Sequence, residues 1–176
     1  TGKNVNEKII NSCSLNPRET KDFSTDLTVQ NPTLWSLENP YLYKMITSVY
    51  EVDKLVDTFQ TTFGIRTIRF DANEGFFLNG KHVKIKGTNN HQDHAGVGAA
   101  MPDALQDFRI KTLKSFGSNA YRCSHNVPTP ELLEACDRLG MLVIDEHRMM
   151  GSTQVQLDDV KKMIERDRNH PSIISW

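Results

Sequence analysis

What this chain has least of narrows its class first. Three cysteines among 176 residues, Cys13, Cys123 and Cys136, stand far apart with no CxxC pair, which excludes a disulfide scaffold and a thiolate metal knuckle. Lone cysteines of this kind read as buried free thiols, and they leave a reducing cytosol and a periplasm equally open. Neither sign of charge is in excess: 21 Lys+Arg stand against 22 Asp+Glu, a formal net charge of -1. That removes the electrostatic case for a nucleic-acid or anionic-membrane partner. The densest charged run, residues 158–168, alternates sign as a solvated helix face does. No apolar stretch approaches the ~18 residues needed to span a bilayer. The opening residues TGKNVNEK have no apolar signal-peptide core. A soluble globular chain remains, of one domain or one and a fraction at roughly 150 residues per domain.

Two regions of different periodicity follow one another. Before about residue 71, short β-type segments alternate with turn chemistry. Residues 22–30 carry Phe23, Leu27 and Val29 as apolar members, 41–52 are rich in Tyr, Ile, Thr and Val, Asp53-Lys54 reads as a turn, and 55–63 and 65–70 return as strands. Pro17, Pro32 and Pro40 bar long helices. Such spacing predicts an all-β sandwich. Residues 76–78, Asn79-Gly80 and 81–86 then read as a hairpin, because Asn-Gly tolerates the positive φ angles of a type I′ turn.

Beyond the hairpin the pattern becomes strand, loop, helix, three times over. The first strand is predicted at 83–86, followed by a helix at 103–116 with Leu105, Phe108, Leu113 and Phe116 on one face. A strand at 119–123 precedes a helix that Thr129-Pro130-Glu131 opens and Gly140 stops. That helix buries Leu132, Leu133, Ala135, Cys136 and Leu139, and shows Glu131, Glu134, Asp137 and Arg138 to solvent. Residues 141–144 are an apolar run fit for a strand covered on both faces. A third helix at 157–168 buries Leu157, Val160, Met163 and Ile164, and 172–176 begin another strand. Alternating β and α units predict a parallel sheet, doubly wound or a (β/α)8 barrel. The absence of a Gly-rich turn between strand and helix favours the barrel.

Chemistry in such folds gathers at the carboxyl ends of the strands. Three clusters stand there: Asn89, Asn90, His91, Gln92, Asp93 and His94; Arg122, Ser124, His125 and Asn126; and Asp145, Glu146, His147 and Arg148. Together they suit a polyhydroxylated ligand, whose hydroxyls both donate and accept. Each has a plainer reading as loop polarity, and Arg122 with Asp145 reads equally as an internal ion pair. A metal site from His91, Asp93 and His94 lacks diagnostic spacing. Asp145 and Glu146 do not make a paired-carboxylate glycosidase site, since neighbours on a strand point to opposite faces.

The motif NAYRCSHNVPTPE at 119–131, continuing into CDRLGMLVIDE at 136–146, resembles the first signature of glycoside hydrolase family 2, which holds β-galactosidases, β-glucuronidases and β-mannosidases. LWSLENPYLY at 34–43, FGIR at 63–66, FLNGK at 77–81, KGTNNH at 86–91 and RDRNHPS at 166–172 resemble further family landmarks in the same order. The resemblance implies the later part of an immunoglobulin-like β-sandwich over residues 1–70, then the N-terminal half of a catalytic (β/α)8 TIM barrel over 71–176.

Residues 91–94 resemble β-galactosidases most. The expected activity of the parent protein is retaining hydrolysis of terminal β-D-galactosides. Other family 2 glycosidases and a non-catalytic carbohydrate-binding module are the alternatives. By resemblance, His91 and His125 bind ring hydroxyls, Arg122 lies under the pocket floor, and Asn90 and Asp93 contribute from the same loop. Both catalytic glutamates of the family are expected beyond Trp176, so the chain alone is expected to be inactive. Met150 and Ser152 stand where some members carry Mg2+ ligands, so no metal and no cofactor are expected. Asn126-Val127 replaces a common Tyr-Pro. A barrel half exposes strand edges and apolar faces, which predicts self-association into a homo-oligomer.

Overall fold

A computed structural model describes residues 2–10, 13–149 and 151–176. The chain divides into two compact units, Thr1–Pro32 and Thr33–Trp176. The described residues of the first unit form no regular strand or helix. Asn6 Nδ2 donates to the Thr28 carbonyl at 2.7 Å, and the Asn16 amide donates to Glu19 Oε2 at 2.7 Å, closing a turn. The strand predicted at 22–30 is therefore extended chain without a ladder. Phe23 is exposed, so the alternation there has no covered face to enforce pairing. Cys13 is also exposed, against expectation, whereas Cys123 and Cys136 are buried free thiols.

In the second unit, β1 (Tyr43–Glu51) and β2 (Lys54–Phe63) form an antiparallel ribbon from Tyr43↔Phe63 to Glu51↔Lys54. Its turn residues are Val52 and Asp53, one position earlier than the sequence suggests. Next, β3 (Ile68–Asp71), β4 (Gly75–Leu78) and β5 (Lys81–His82) make a three-stranded antiparallel sheet. Asn79 and Gly80, with φ of 52° and 75°, form the expected tight turn. The second hairpin strand is shorter than predicted.

The remaining strands are parallel and lie in chain order: β6 (Gly87–Asn90), β7 (Ala120–Cys123), β8 (Leu142–Ile144) and β9 (Ile173–Ser175). Three helices alternate with them: α1 (Asp103–Ser115), α2 (Pro130–Leu139) and α3 (Gln154–Asp167). Sequential order without reversal is the topology of half a (β/α)8 barrel, not of a doubly wound sheet. The first barrel strand begins at Gly87 rather than Val83. A Cβ at Gly87 would lie 2.6 Å from the Ala120 carbonyl oxygen, so only glycine permits this approach. Val83 instead continues the hairpin, its amide donating to the Phe76 carbonyl.

Period-two alternation sorts the strand residues between two cores. Tyr121, Cys123, Val143 and Ile173 face the helices and pack with Ile110, Leu132, Leu133 and Cys136. Ala120, Leu142 and Ile174 face the barrel interior, where Trp35, Phe76 and Leu78 plug its lower end. Trp35 Nε1 donates to the Asp137 carbonyl at 2.8 Å, and Arg66 donates to the carbonyls of Pro171 and Ile173. The LWSLENPYLY and FGIR segments thus brace the amino ends of the barrel strands.

Helix faces depart from the sequence pattern in three places. Asp137 is buried, not solvated: its carboxylate accepts from the Ser172 amide at 3.1 Å and from His170 Nδ1 at 2.6 Å. Burial lowers the His170 pKa, but the hydrogen bond to Asp137 together with the charges of Asp137, Asp167 and Glu134 outweighs it, and the net shift is upward. On α1, Gln106 and Ile110 are buried, while Phe108 and Phe116 are exposed. Phe116 caps the helix, outside its packed face. A capping box of Thr153 and Gln156 starts α3 three residues earlier than predicted. Leu157 therefore lies in the first turn and is exposed.

Candidate functional site

The carboxyl ends of β6, β7 and β8 converge on a polar mouth centred on Glu146. Residues 142, 144 and 146 share the interior-facing phase of the strand, so Glu146 turns to the mouth while Asp145 turns to the helices. Glu146 Oε2 accepts from Arg122 Nε at 2.6 Å and pairs ionically with its Nη2 at 2.6 Å. Its Oε1 lies 2.6 Å from His125 Nδ1. Burial opposes the charge of Glu146, but the hydrogen bonds from His125 and Arg122 outweigh it and hold the carboxyl below the usual range. An ionised Glu146 requires the proton of His125 on Nδ1, which leaves Nε2 as an outward-facing acceptor when the ring is neutral. Arg122 thus pairs with Glu146, not with Asp145.

Asp145 is 1% exposed, and neither of its oxygens has a hydrogen-bond partner among the described residues. Burial, with the neighbouring Asp167 carboxylate, raises its pKa to about 6. Asp167 is itself held by Arg166, Nε to Oδ1 at 2.6 Å and Nη2 to Oδ2 at 2.7 Å. Cys123, facing the same way, is pushed well above the ordinary thiol range by burial, which makes it inert rather than nucleophilic.

His91 and His125 stand together, ring centroids 5.6 Å apart and edge to face at 82°. Asn90 spends its amide on its own strand, donating to the Thr88 carbonyl at 2.9 Å. Asp93 is exposed, and its backbone carbonyl accepts from Arg109. Gln92 Oε1 accepts from Asn126 Nδ2 at 2.7 Å, tying the first loop to the second. Behind this tie lies a cavity of about 10 Å³ lined by Asn90, Gln92, Gln106, Ser124 and Asn126 among others, about the volume of one water. Gln106 Oε1 and Ser124 Oγ are buried there without a partner among the described residues.

Arg109 is the site residue that motif reading passes over, and Glu146, placed among the strand-end polar residues, is given no role there. Strand phase alone directs Glu146 to the mouth. Nothing in the sequence directs Arg109, which sits on an ordinary amphipathic helix. Among the described residues no three His, Cys, Asp or Glu side chains are grouped to hold a metal ion. Ser152 is exposed, and Met150, the other position of the expected departure from Mg2+ binding, lies outside the described residues. No helix of the described residues is long and apolar enough to cross a membrane.

Comparison with known proteins matches residues 70–158 to the model of the glycosyl hydrolases family 2 TIM barrel domain and residues 1–66 to a second glycosyl hydrolases family 2 model. The beta-galactosidase BoGH2A of Bacteroides ovatus is 40% identical over 166 residues, covering 88% of this chain and 20% of that protein. A beta-glucuronidase of Formosa agariphila is 34% identical over 161 residues, covering 87% of this chain and 16% of that protein. The crystal structure of a glycosyl hydrolase family 2 member from Bacteroides cellulosilyticus superposes with a TM-score of 0.76 at 47% identity, over 83% of this chain and 21% of that one. The chain spans about a fifth of the length of these relatives.

Proposed function

Because the chain belongs to glycosyl hydrolase family 2, we propose that the protein it forms part of is a retaining exo-glycosidase that hydrolyses terminal β-D-galactosides. On this reading residues 1–70 are the immunoglobulin-like segment and 71–176 the first half of the catalytic barrel. The observation that carries the reading is the mouth itself: two histidines edge to face beside a partly exposed Arg122–Glu146 pair, at the strand ends where barrel enzymes place their chemistry.

Each residue has a role that its surroundings support. His91 and His125 hydrogen-bond sugar hydroxyls, His125 through Nε2 because Glu146 occupies Nδ1. Arg122 forms the pocket floor, and its second face is free to orient a catalytic carboxylate and keep it ionised. Asn90 shapes the end of β6, and Asp93 lies on the rim. Retention needs two carboxyl groups about 5–5.5 Å apart across one bond. Asp145 faces the helices and Glu146 is committed to Arg122 and His125, so this mouth supplies binding groups, and the pair comes from later strands. The 176-residue chain alone is accordingly inactive.

Relatives carry both galactosidase and glucuronidase names. The galactoside is favoured because residues 91–94, HQDH, resemble the β-galactosidases, and because His91, His125, Gln92 and Asn126 present groups that neutral hydroxyls match. The deciding experiment gives the full-length protein aryl β-galactoside, β-glucuronide and β-mannoside substrates. Turnover of the galactoside alone is expected. Turnover of the glucuronide alone rejects the substrate assignment, and turnover of none leaves a carbohydrate-binding module.

A further inference from the structure

We propose that Arg109, on α1 and outside the sugar-facing groups, is the positioning residue that sets His91 against His125. The inference rests on the proposed role of His91 in sugar binding. Between β6 and α1 run twelve residues, 91–102, whose own backbone hydrogen bonds run between His94 and Ala100 and, among the described residues, include none from residues 91–93. Among the described residues nothing hydrogen-bonds the His91 imidazole, so its direction follows from where the backbone is held.

Arg109 holds that backbone from behind. Its Nη1 donates to the His91 carbonyl at 2.7 Å and its Nη2 to the Asp93 carbonyl. The same Nη1 donates to the Tyr121 hydroxyl at 3.1 Å. Tyr121 is 2% exposed and packed in the helix-side core, so the guanidinium is tied to a buried side chain of the barrel. A planar fork that takes two carbonyls two residues apart constrains the torsions between them. Gln92, the residue between, is the one that reaches Asn126 on the next loop. The positional chain runs from core to Tyr121, to Arg109, to the carbonyls of His91 and Asp93, and so to the imidazole. His125 is fixed independently, through Glu146. Lysine keeps the charge but replaces the rigid two-nitrogen fork with one ammonium centre on a flexible stem, so it fixes the loop less firmly.

The test uses the full-length protein with Arg109→Met, Arg109→Lys and His91→Ala, alone and with Arg109→Met combined with His91→Ala. Two readouts are taken: kcat/KM on whichever aryl glycoside the wild type turns over, and hydrogen exchange of the 91–102 backbone. Arg109→Met is expected to lower kcat/KM by about 10- to 100-fold, the scale of a misplaced contact group. Arg109→Lys falls between it and wild type. In the His91→Ala background, Arg109→Met costs less than about threefold further, because the group it positions is gone. Exchange at His94 and Gly98 rises at least about tenfold, with protection of α1 and β7 unchanged. Additive losses in the double variant overturn the proposal, as does unaltered exchange in the loop. Absence of turnover on every glycoside rejects the proposed function instead, and the exchange result then decides the positional claim alone.

Discussion

Replacing Glu146 with glutamine tests whether the mouth is organised around one ionised carboxylate. Glutamine keeps the size but has one acceptor end and one donor end. Both partners of Glu146 are donors, Arg122 at 2.6 Å and His125 at 2.6 Å. With its nitrogen towards Arg122 the amide sets donor against donor, and with its nitrogen towards His125 it drives the imidazole proton off Nδ1 and reverses the tautomer. A charge-assisted hydrogen bond contributes about 1.5–3 kcal/mol when sheltered. Here Arg122 and His125 are 39% and 57% exposed, and solvent screening reduces the net loss to roughly 1–2 kcal/mol. The functional loss is expected to be larger in proportion, because His125 loses the group that fixes its tautomer. A kcat/KM lowered about 10- to 100-fold corresponds to ~1.4–2.7 kcal/mol in the transition state. The pH arm has a definite sign. The folded-state pKa of Glu146 lies below its ordinary 4.5, so its contribution is present above that value and disappears as pH falls through the lowered one. Denaturant unfolding of wild type and Glu146→Gln should therefore differ at pH 7 and converge in acid. Equal kcat/KM together with superimposable stability profiles would refute the carboxylate-centred mouth.

Asp145→Asn should act in the opposite sense. The Asp145 pKa is raised from 3.8 to about 6, so its stabilising term is complete below the lower value and is lost as pH rises through the upper one, roughly 2–3 kcal/mol in all. The asparagine variant should lack that decline in unfolding free energy between about pH 4 and 7, and an unchanged slope contradicts the assignment. Gly140→Ala places a Cβ 2.4 Å from the Leu37 carbonyl oxygen at a φ of 70°; equilibrium unfolding should show a loss of at least about 2 kcal/mol. Gly96→Ala, at a φ of 86° with nothing within 4 Å, should cost about 1 kcal/mol at most. Trp35→Phe removes the donor to the Asp137 carbonyl and opens a void in a fully buried site, with an expected cost of about 2–3 kcal/mol by the same measurement. The isolated chain exposes Ile46, Val52, Phe59 and Phe116, so sedimentation of that chain should show self-association, and a compact monomer would count against it.

The fold was legible where periodicity and stop signals coincide. Pro130 and Gly140 delimit α2 in sequence and in structure, and the apolar run at 141–144 holds the strand Leu142–Ile144, whose Leu142 and Val143 are buried on opposite faces. Legibility failed where a backbone contact or a missing cover decides. Gly87 looked like the residue after a strand, yet it opens β6 because its hydrogen lets Ala120 approach. The alternation at 22–30 resembled a strand, but alternation implies pairing only when one face is covered. Asp137 sits where a helical wheel places solvent. Its burial comes from 170–172, a segment more than thirty residues away that no local pattern reports.

The site shows the same division. Adjacent acids on a strand must diverge, and Asp145 and Glu146 do: one is dry and pushed towards neutrality, the other is ionised between two donors. What strand phase does not tell is what each face meets. On β7 the neighbours Tyr121 and Arg122 diverge in the same manner, Arg122 into the mouth beside Glu146 and Tyr121 into the helix-side core. Tyr121 there anchors Arg109, which holds the loop of His91. Two consecutive residues of one strand thus serve the two histidines from opposite sides of the sheet, Arg122 by way of Glu146 and His125, Tyr121 by way of Arg109 and His91. Strand phase assigns the sides, but only packing against α1 makes the second route exist, which is why a motif centred on the strand reveals the first and leaves the second invisible.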